Sequence, residues 1–474
     1  MTMTHLIRAF ALSLPMLAGS LAALPAVAQD WSARYATDAI RAPQPRLASA
    51  PSSSLSLLGA PLGWIEQQVL ASDGASGDLF GFRTLVAGDL AFISGPAPLA
   101  RPGAVYVHER SGGTWGEVQR ITGTPPAGTP PNWSDFFGWS IALSATGEYL
   151  AVGAPDVFNP MAGPAGGVYV FERDGGGDWV EVQLLEPPIP IAVTGFGGHV
   201  AFSGETLVVG EGSYNRNVDG SRGAAHVYNL VAGSWTHTQL VQGSNGAPFD
   251  DRYFGNAVAA DSQRVYVGAP GADFSSTGEY PVGAVYVFEN AGGVLSEVQV
   301  LEAADGADGD QFGFSIDVDG DRLLIGAPAA VVDTNTHQGA AYLFTHDGSA
   351  FAQSQKLVRE GGAAFDQHGQ SVAISGGIAL VGMWSNNDEP GGTPPPPVQG
   401  SVGVYARGAG GWTHRQDLAG SLGSDGDSFG WHVSIDGPTA LIGADADGAI
   451  SQFQGSAYFY ENDALFADGF EGGN

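Results

Sequence analysis

Between about residue 64 and about residue 460 the chain alternates short apolar runs with glycine-rich turns, and no stretch sustains the period of a helix. Short runs bounded by Gly, Pro, Asn and Asp read as strands. One unit carries four of them: Ser296 to Leu301, Gly313 to Val318, Arg322 to Ala327 and Gly339 to Phe344. A second repeats them as Trp115 to Ile121, Gly138 to Leu143, Tyr149 to Ala154 and Gly167 to Phe171. Asp319-Gly320 supplies a tight hairpin turn between two of these runs. Ala284-Val285-Tyr286-Val287-Phe288 is apolar at consecutive positions, which requires cover on both faces of the sheet.

The pattern repeats as Trp-x-Glu-x-Gln-x-Leu, an acidic loop, Phe-Gly-x-Ser-Ile, Gly-Asp-x-Leu-x-Val-Gly-Ala-Pro, a variable loop and Gly-Ala-Val-Tyr-Val-Phe. Its aligned glycines are Gly81, Gly138, Gly197, Gly255, Gly313, Gly369 and Gly430, a spacing of roughly 58 residues that suits propeller blades. Phe precedes six of them and His368 the other. The expected fold is all-β: a seven-bladed β-propeller of four-stranded antiparallel blades. If the Phe-Gly strand is innermost, each Trp-containing strand is the outer edge of the preceding blade. Trp64 to Leu70 should then complete the last blade and remove the open sheet edges.

These residues resemble the FG-GAP repeats of the integrin α-subunit head and of many exported bacterial proteins. Phe137-Gly138 with Gly153-Ala154-Pro155, Phe254-Gly255 with Gly268-Ala269-Pro270, and Phe312-Gly313 with Gly326-Ala327-Pro328 carry both halves of the motif. Four copies depart, with Ser94-Gly95-Pro96, Gly210-Glu211-Gly212, Gly382-Met383-Trp384 and Gly443-Ala444-Asp445 in place of Gly-Ala-Pro. The resemblance implies adhesion or ligand recognition, often with calcium in an Asp-x-Asp-x-Asp-Gly loop. The nearest match to that loop is Asp317, Asp319 and Asp321 around Gly320; a hairpin with outward acids gives the same sequence without a metal.

Four spans follow: residues 1–28 as a signal peptide, 29–60 as a flexible lead-in, 61–461 as the propeller and 462–474 as a short tail. His5 and Arg8 precede an apolar run from Ala9 to Leu24, and Ala26-Val27-Ala28 offers the small-x-small cleavage pattern. A secreted protein, extracellular or periplasmic and without membrane insertion after cleavage, is expected. It has no cysteine, so a hydrophobic core rather than disulfides must hold it. The net charge of −31 with 18 Lys and Arg excludes nucleic acid and anionic membrane, which need basic patches.

The loops before each Phe-Gly and after each Gly-Ala-Pro share one rim, where a site is expected. Some are acidic: Asp305, Asp308 and Asp310, and Asp425 with Asp427, are candidate Ca2+ ligands beside Asp317, Asp319 and Asp321. An Asp two residues before the Phe position recurs as Asp78, Asp135, Asp310, Asp366 and Asp427, and can equally cap its own turn. Features that break the repeat are the better ligand candidates: Trp133; Tyr214 and Asn215; and Trp384, Asn386, Asn387 and Asp388. Aromatic faces with amide neighbours suit carbohydrate. No His-Glu-x-x-His pattern is present. The expected partner is therefore an extracellular protein or a carbohydrate, bound by a monomer; a polysaccharide hydrolase or lyase and a purely structural surface protein are the alternatives.

Overall fold

The computed structural model describes residues 63–97, 102–130, 133–191, 194–212, 223–244, 251–272, 282–384, 400–422, 427–446 and 453–462. The strands form seven four-stranded antiparallel sheets. Blade one is Thr84–Ala87, Leu90–Gly95, Ala104–Ser111 and Thr114–Ile121; blade two is Ser140–Leu143, Tyr149–Ala154, Gly167–Arg173 and Trp179–Leu185. Blade three comprises Phe196–Ser203, Thr206–Glu211, Ala224–Val231 and Ser234–Val241. Blade four comprises Ala257–Ala260, Arg264–Ala269, Ala284–Asn290 and Leu295–Leu301. Blade five is Ser315–Asp319, Arg322–Ala327, Ala340–His346 and Phe351–Leu357; blade six is Val372–Ser375, Ile378–Met383, Ser401–Gly408 and Gly411–Leu418. Blade seven joins Val433–Asp436, Thr439–Ala444 and Ser456–Glu461 to Ile65–Val69 from the other end of the chain.

The first strand of every blade touches the first strands of both neighbouring blades, so these strands line the axis of a seven-membered ring. The core is correspondingly divided: seven buried apolar clusters lie one at each seam between blades. A strand that contributes to two seams must be apolar on both faces, which is why Ala284 to Phe288 does not alternate.

The two glycine motifs interlock across the seams. In blade five Gly313 has φ +90°, and a Cβ there would collide with the carbonyl oxygen of Ala284 in blade four. Gly326 of the Gly-Ala-Pro packs in turn against the carbonyl of Gly369 in blade six. In blades one, two, four, five and seven the Phe-Gly phenylalanine meets the third-strand tyrosine of its own blade edge-on, as Phe312 and Tyr342 do with ring centroids 5.5 Å apart, and in blade three Phe196 meets His226 at that position. Blade six keeps the contact with altered residues. Gly403 stands where other blades have Tyr, Tyr405 folds over it, and His368 takes the Phe slot with Nε2 2.9 Å from the Tyr405 hydroxyl.

The outer strands are stapled by the glutamine of the Trp-x-Glu-x-Gln signature. Gln299 Nε2 donates to the Phe351 carbonyl at 2.7 Å, while its Oε1 accepts from the Phe351 N–H at 2.9 Å. Gln119, Gln183, Gln239 and Gln355 make the same reciprocal pair with Trp179, Trp235, Leu295 and Trp412.

Two details differ from the sequence reading. The closing strand is Ile65–Val69, and its staple to Trp115 is made by Gln67 rather than by Gln68 of the aligned signature. The third and fourth strands of blades one to six carry a β-bulge, as between Val287 and Phe288, and blade seven has none, so one residue drops out of register. The hairpin of blade five has Gly320-Asp321 at its centre, because Asp319 pairs with Arg322. Gly320, at φ +61°, meets the left-handed first position of a type II′ turn.

Candidate binding rim

In every blade the residue before the Phe position is left-handed, and the following chain turns back over it; Phe136 (φ 57°) accepts at its carbonyl from Trp139 N–H at 3.0 Å. This turn throws the residue after each Phe-Gly toward the axis. In blades one, two, five and seven that residue is aromatic, and the rings of blades one, two and seven join: Phe82 lies 4.7 Å from Trp139 and 6.0 Å from Trp431. Trp384, which replaces the proline of Gly-Ala-Pro in blade six, meets Trp431 at 5.0 Å, and Phe136 meets Trp139 at 5.6 Å. The Arg83 guanidinium lies 5.0 Å from the Phe82 ring centroid. Trp384, Trp431 and Phe82 are buried, whereas Trp139 and Phe136 are half-buried, so the track surfaces on blade two. Burial first, and then the charge of Arg83, push His199 and His432 below the ordinary imidazole range.

Blade two also holds the cleft that contains Trp133. Its walls include Pro102, Pro125, Pro126, Trp133, Asp135 and Phe158, and it encloses about 330 Å3 counted with the space open to solvent. Trp133 Nε1 donates to the Asp156 carbonyl at 2.7 Å and its ring meets Phe158 edge-on at 5.4 Å. Asp135 accepts from Phe137 N–H at 3.1 Å and from the Tyr169 hydroxyl at 3.2 Å. Burial and then the neighbouring Asp135 raise the Asp156 carboxyl to about 7; burial raises Asp135 as well. The Asp156 position bonds its N–H to the capping Asp of its blade, and where blades one, five and seven make the same bond the residue is Ala97, Ala329 or Ala446.

The structure places Trp133 and Trp384 apart, one in the blade-two cleft and the other at the axial end of the aromatic track. Tyr214, Asn215, Asn386, Asn387, Asp388 and Asp425 lie outside the described residues. Phe82, Trp139 and Trp431 were not singled out from the sequence. The signal was their shared slot after Phe-Gly, where blade five has Phe314 and blades three, four and six have Gly198, Asn256 and Gln370.

The acidic candidates are engaged with protein groups. Asp317 accepts from Ile374 N–H at 2.7 Å and Asp319 from Gly376 N–H at 2.8 Å, both in blade six. Asp436 makes the matching tie to Gly88 N–H at 2.7 Å between blades seven and one. Asp319 and Asp321 also flank Arg322. Asp305 pairs with Lys356 Nζ at 2.7 Å, which lowers its pKa against the opposing effect of burial. Asp310 caps its own turn through Ala307 N–H at 2.9 Å, as Asp78 does with Ala75 and Asp366 with Ala363; Asp308 is exposed, and Asp427 is buried. Cations or N–H donors of the protein thus engage the carboxylates of Asp305, Asp317 and Asp319, and Asp310 holds its capping N–H on one oxygen. Among the described residues no three His, Cys, Asp or Glu side chains are grouped to hold a metal ion.

The ring of seven stapled blades defines a β-propeller. Residues 295–344, 351–395 and 412–460 match the FG-GAP repeat; the first and third matches span an outer strand and the first three strands of the next blade, and the second an outer strand and the first two. The chain is an FG-GAP β-propeller. No curated protein matches it. Among solved structures it is similar to Saccharomyces cerevisiae Sqt1, at 10% identity over 78% of this chain and 82% of that one with a TM-score of 0.44. It is also similar to the Pseudomonas aeruginosa periplasmic gluconolactonase PpgL, at 15% identity over 72% and 86% with a TM-score of 0.44. Neither likeness carries an argument about activity.

Proposed function

We propose that the protein is an exported recognition module that holds an extracellular glycan or protein on the loop-bearing rim, at blade two. The observation that supports this is the stretch Trp133 to Trp139. It carries the half-buried Phe136 and Trp139 rings in the same short stretch as Trp133 and Asp135, which line the cleft, and Trp133 bonds the Asp156 carbonyl. Flat rings take the apolar face of a sugar, and carboxyl groups bond its hydroxyls. Export rests on the N-terminal apolar run and its Ala-x-Ala pattern. A glycan and matrix-protein binding screen tests the reading with Trp139→Ala and Trp133→Ala beside the wild type. A ligand whose binding both variants leave unchanged would overturn the placement. The engagement of the described carboxylates predicts binding that a calcium-selective chelator does not alter.

One observation favours the second reading, action on polysaccharide. A carboxyl raised to about 7 still holds a proton near neutrality, as a general acid must, and Asp135 lies beside it. Release of reducing ends from a polysaccharide panel, lost in Asp156→Asn while binding persists, is the outcome expected of such an enzyme.

A further inference from the structure

Three positions in blade three break the repeat, and the fold brings them into one chain. Glu211 stands where Gly-Ala-Pro has Ala, His226 where the third strand has Tyr, and His237 where the outer strand has Glu. His226 Nε2 is 2.7 Å from Glu211 Oε2, and His226 Nδ1 is 3.3 Å from His237 Nε2. His226 is buried at 5% exposure, while His237 and Glu211 are half-buried.

The protons on these rings follow from their partners. A carboxylate only accepts, so the Nε2 of a neutral His226 carries the hydrogen and its Nδ1 is a bare lone pair. His237 presents Nε2 to that lone pair. As the tautomer with its hydrogen on Nε2 it donates there, and as the tautomer with its hydrogen on Nδ1 it sets a second lone pair beside the first, open to a cation. The spacing suits a metal ion: two imidazole nitrogens about 2.05 Å from one tetrahedral ion stand about 3.3 Å apart. A carboxylate behind a ligating ring is the usual support for a metal-binding histidine.

We propose that His226 Nδ1 and His237 Nε2 bind one divalent transition-metal ion of the zinc class, with Glu211 orienting the His226 ring. Imidazole ligands select zinc, nickel and copper over calcium. Two protein ligands leave the remaining positions to water or to a donor atom of a bound ligand, and His237 gives them access from solvent. The site is independent of the recognition surface on blade two.

Calorimetric titration of the full chain with Zn2+ at pH 7.5 tests this, with Co2+ absorption as a second probe. The expected result is one ion per chain for the wild type, loss of that binding in His237→Gln, and affinity about 10- to 100-fold weaker in Glu211→Gln. His237 is half-buried on an outer strand, so the variant should fold, and an unchanged circular dichroism spectrum and melting temperature in metal-free buffer establish that it has. Zn2+ binding that His237→Gln leaves intact overturns the proposal. A wild type that binds neither ion also overturns it, and would leave a shared proton as the occupant of the gap.

Discussion

The glutamine staple makes a prediction that uses the repeat as its own control. In Gln299→Leu the side chain keeps much of its bulk but loses both hydrogen bonds to the Phe351 peptide. At 0.5–1.5 kcal/mol for each bond, the loss is about 1–3 kcal/mol. It should approach the upper end because the N–H and C=O at Phe351, a residue only 4% exposed, are left without the amide they faced. Gln416 occupies the same repeat position at the seam between blades six and seven. Its amide, 9% exposed, has no hydrogen-bond partner on either atom. Gln416→Leu removes a buried polar group that bonds nothing, so it should be neutral within about 0.5 kcal/mol or stabilising.

Guanidinium unfolding of the two variants reads the difference as a shift of midpoint at constant slope. Gln67→Leu adds a third arm and should match Gln299→Leu, because Gln67 makes the same pair with Trp115. Equal effects at positions 299 and 416 would show that the side chain acts through burial alone, and the interblade staple would have no energetic meaning.

Further outcomes follow from the same geometry. Gly313→Ala should cost about 3 kcal/mol or more, since it combines a left-handed backbone with a Cβ on a carbonyl oxygen, whereas Gly320→Ala, with open space around it, should cost about 1–2 kcal/mol; thermal melts of both compare them. The raised Asp156 favours the protonated folded state. Its contribution is fully present below the unfolded pKa near 4 and is lost as pH rises through about 7. Wild type should therefore lose more stability than Asp156→Asn between pH 4 and 7.5, and parallel curves of unfolding midpoint against pH would contradict this. Trp384→Ala should weaken ligand binding less than Trp139→Ala, since Trp384 is 8% exposed at the covered end of the aromatic track; a direct binding titration decides it.

Much of the ring was legible because its determinants are local and repeated. Gly313 needs its φ whatever lies around it, and the Phe-Gly, Gly-Asp and Gly-Ala-Pro signals recur in phase, so blade number, strand order and the outer-strand assignment could be read directly. The register of the closing strand could not. A β-bulge is a relation between two strands, and Trp64-x-Glu-x-Gln68 satisfies the one-strand pattern although blade seven lacks the bulge that this pattern presumes. The aromatic track was hidden for a related reason: Phe82, Trp139 and Trp431 are remote in sequence, and only closure of the ring brings blades seven, one and two together.

Departures from a repeat divide by whether their neighbours absorb them. His368 stands in a Phe slot, but Gly403 and Tyr405 change with it, and Tyr405 supplies both the missing ring and a hydrogen bond. Burial pushes His368 down to about 3, so it stays neutral and fills space. Asp156 is different, because it sets a second carboxyl beside Asp135 where blades one, five and seven place alanine. Blade three goes furthest. Substituting Glu211 and His226 for Ala and Tyr already makes a hydrogen-bonded pair, and His237 adds an Nε2 only 3.3 Å from the one nitrogen of that pair left without a proton. Two imidazole nitrogens at that spacing with a carboxylate behind one of them form a donor set that a cation can use, and this is what separates a ligand site from a compensated substitution.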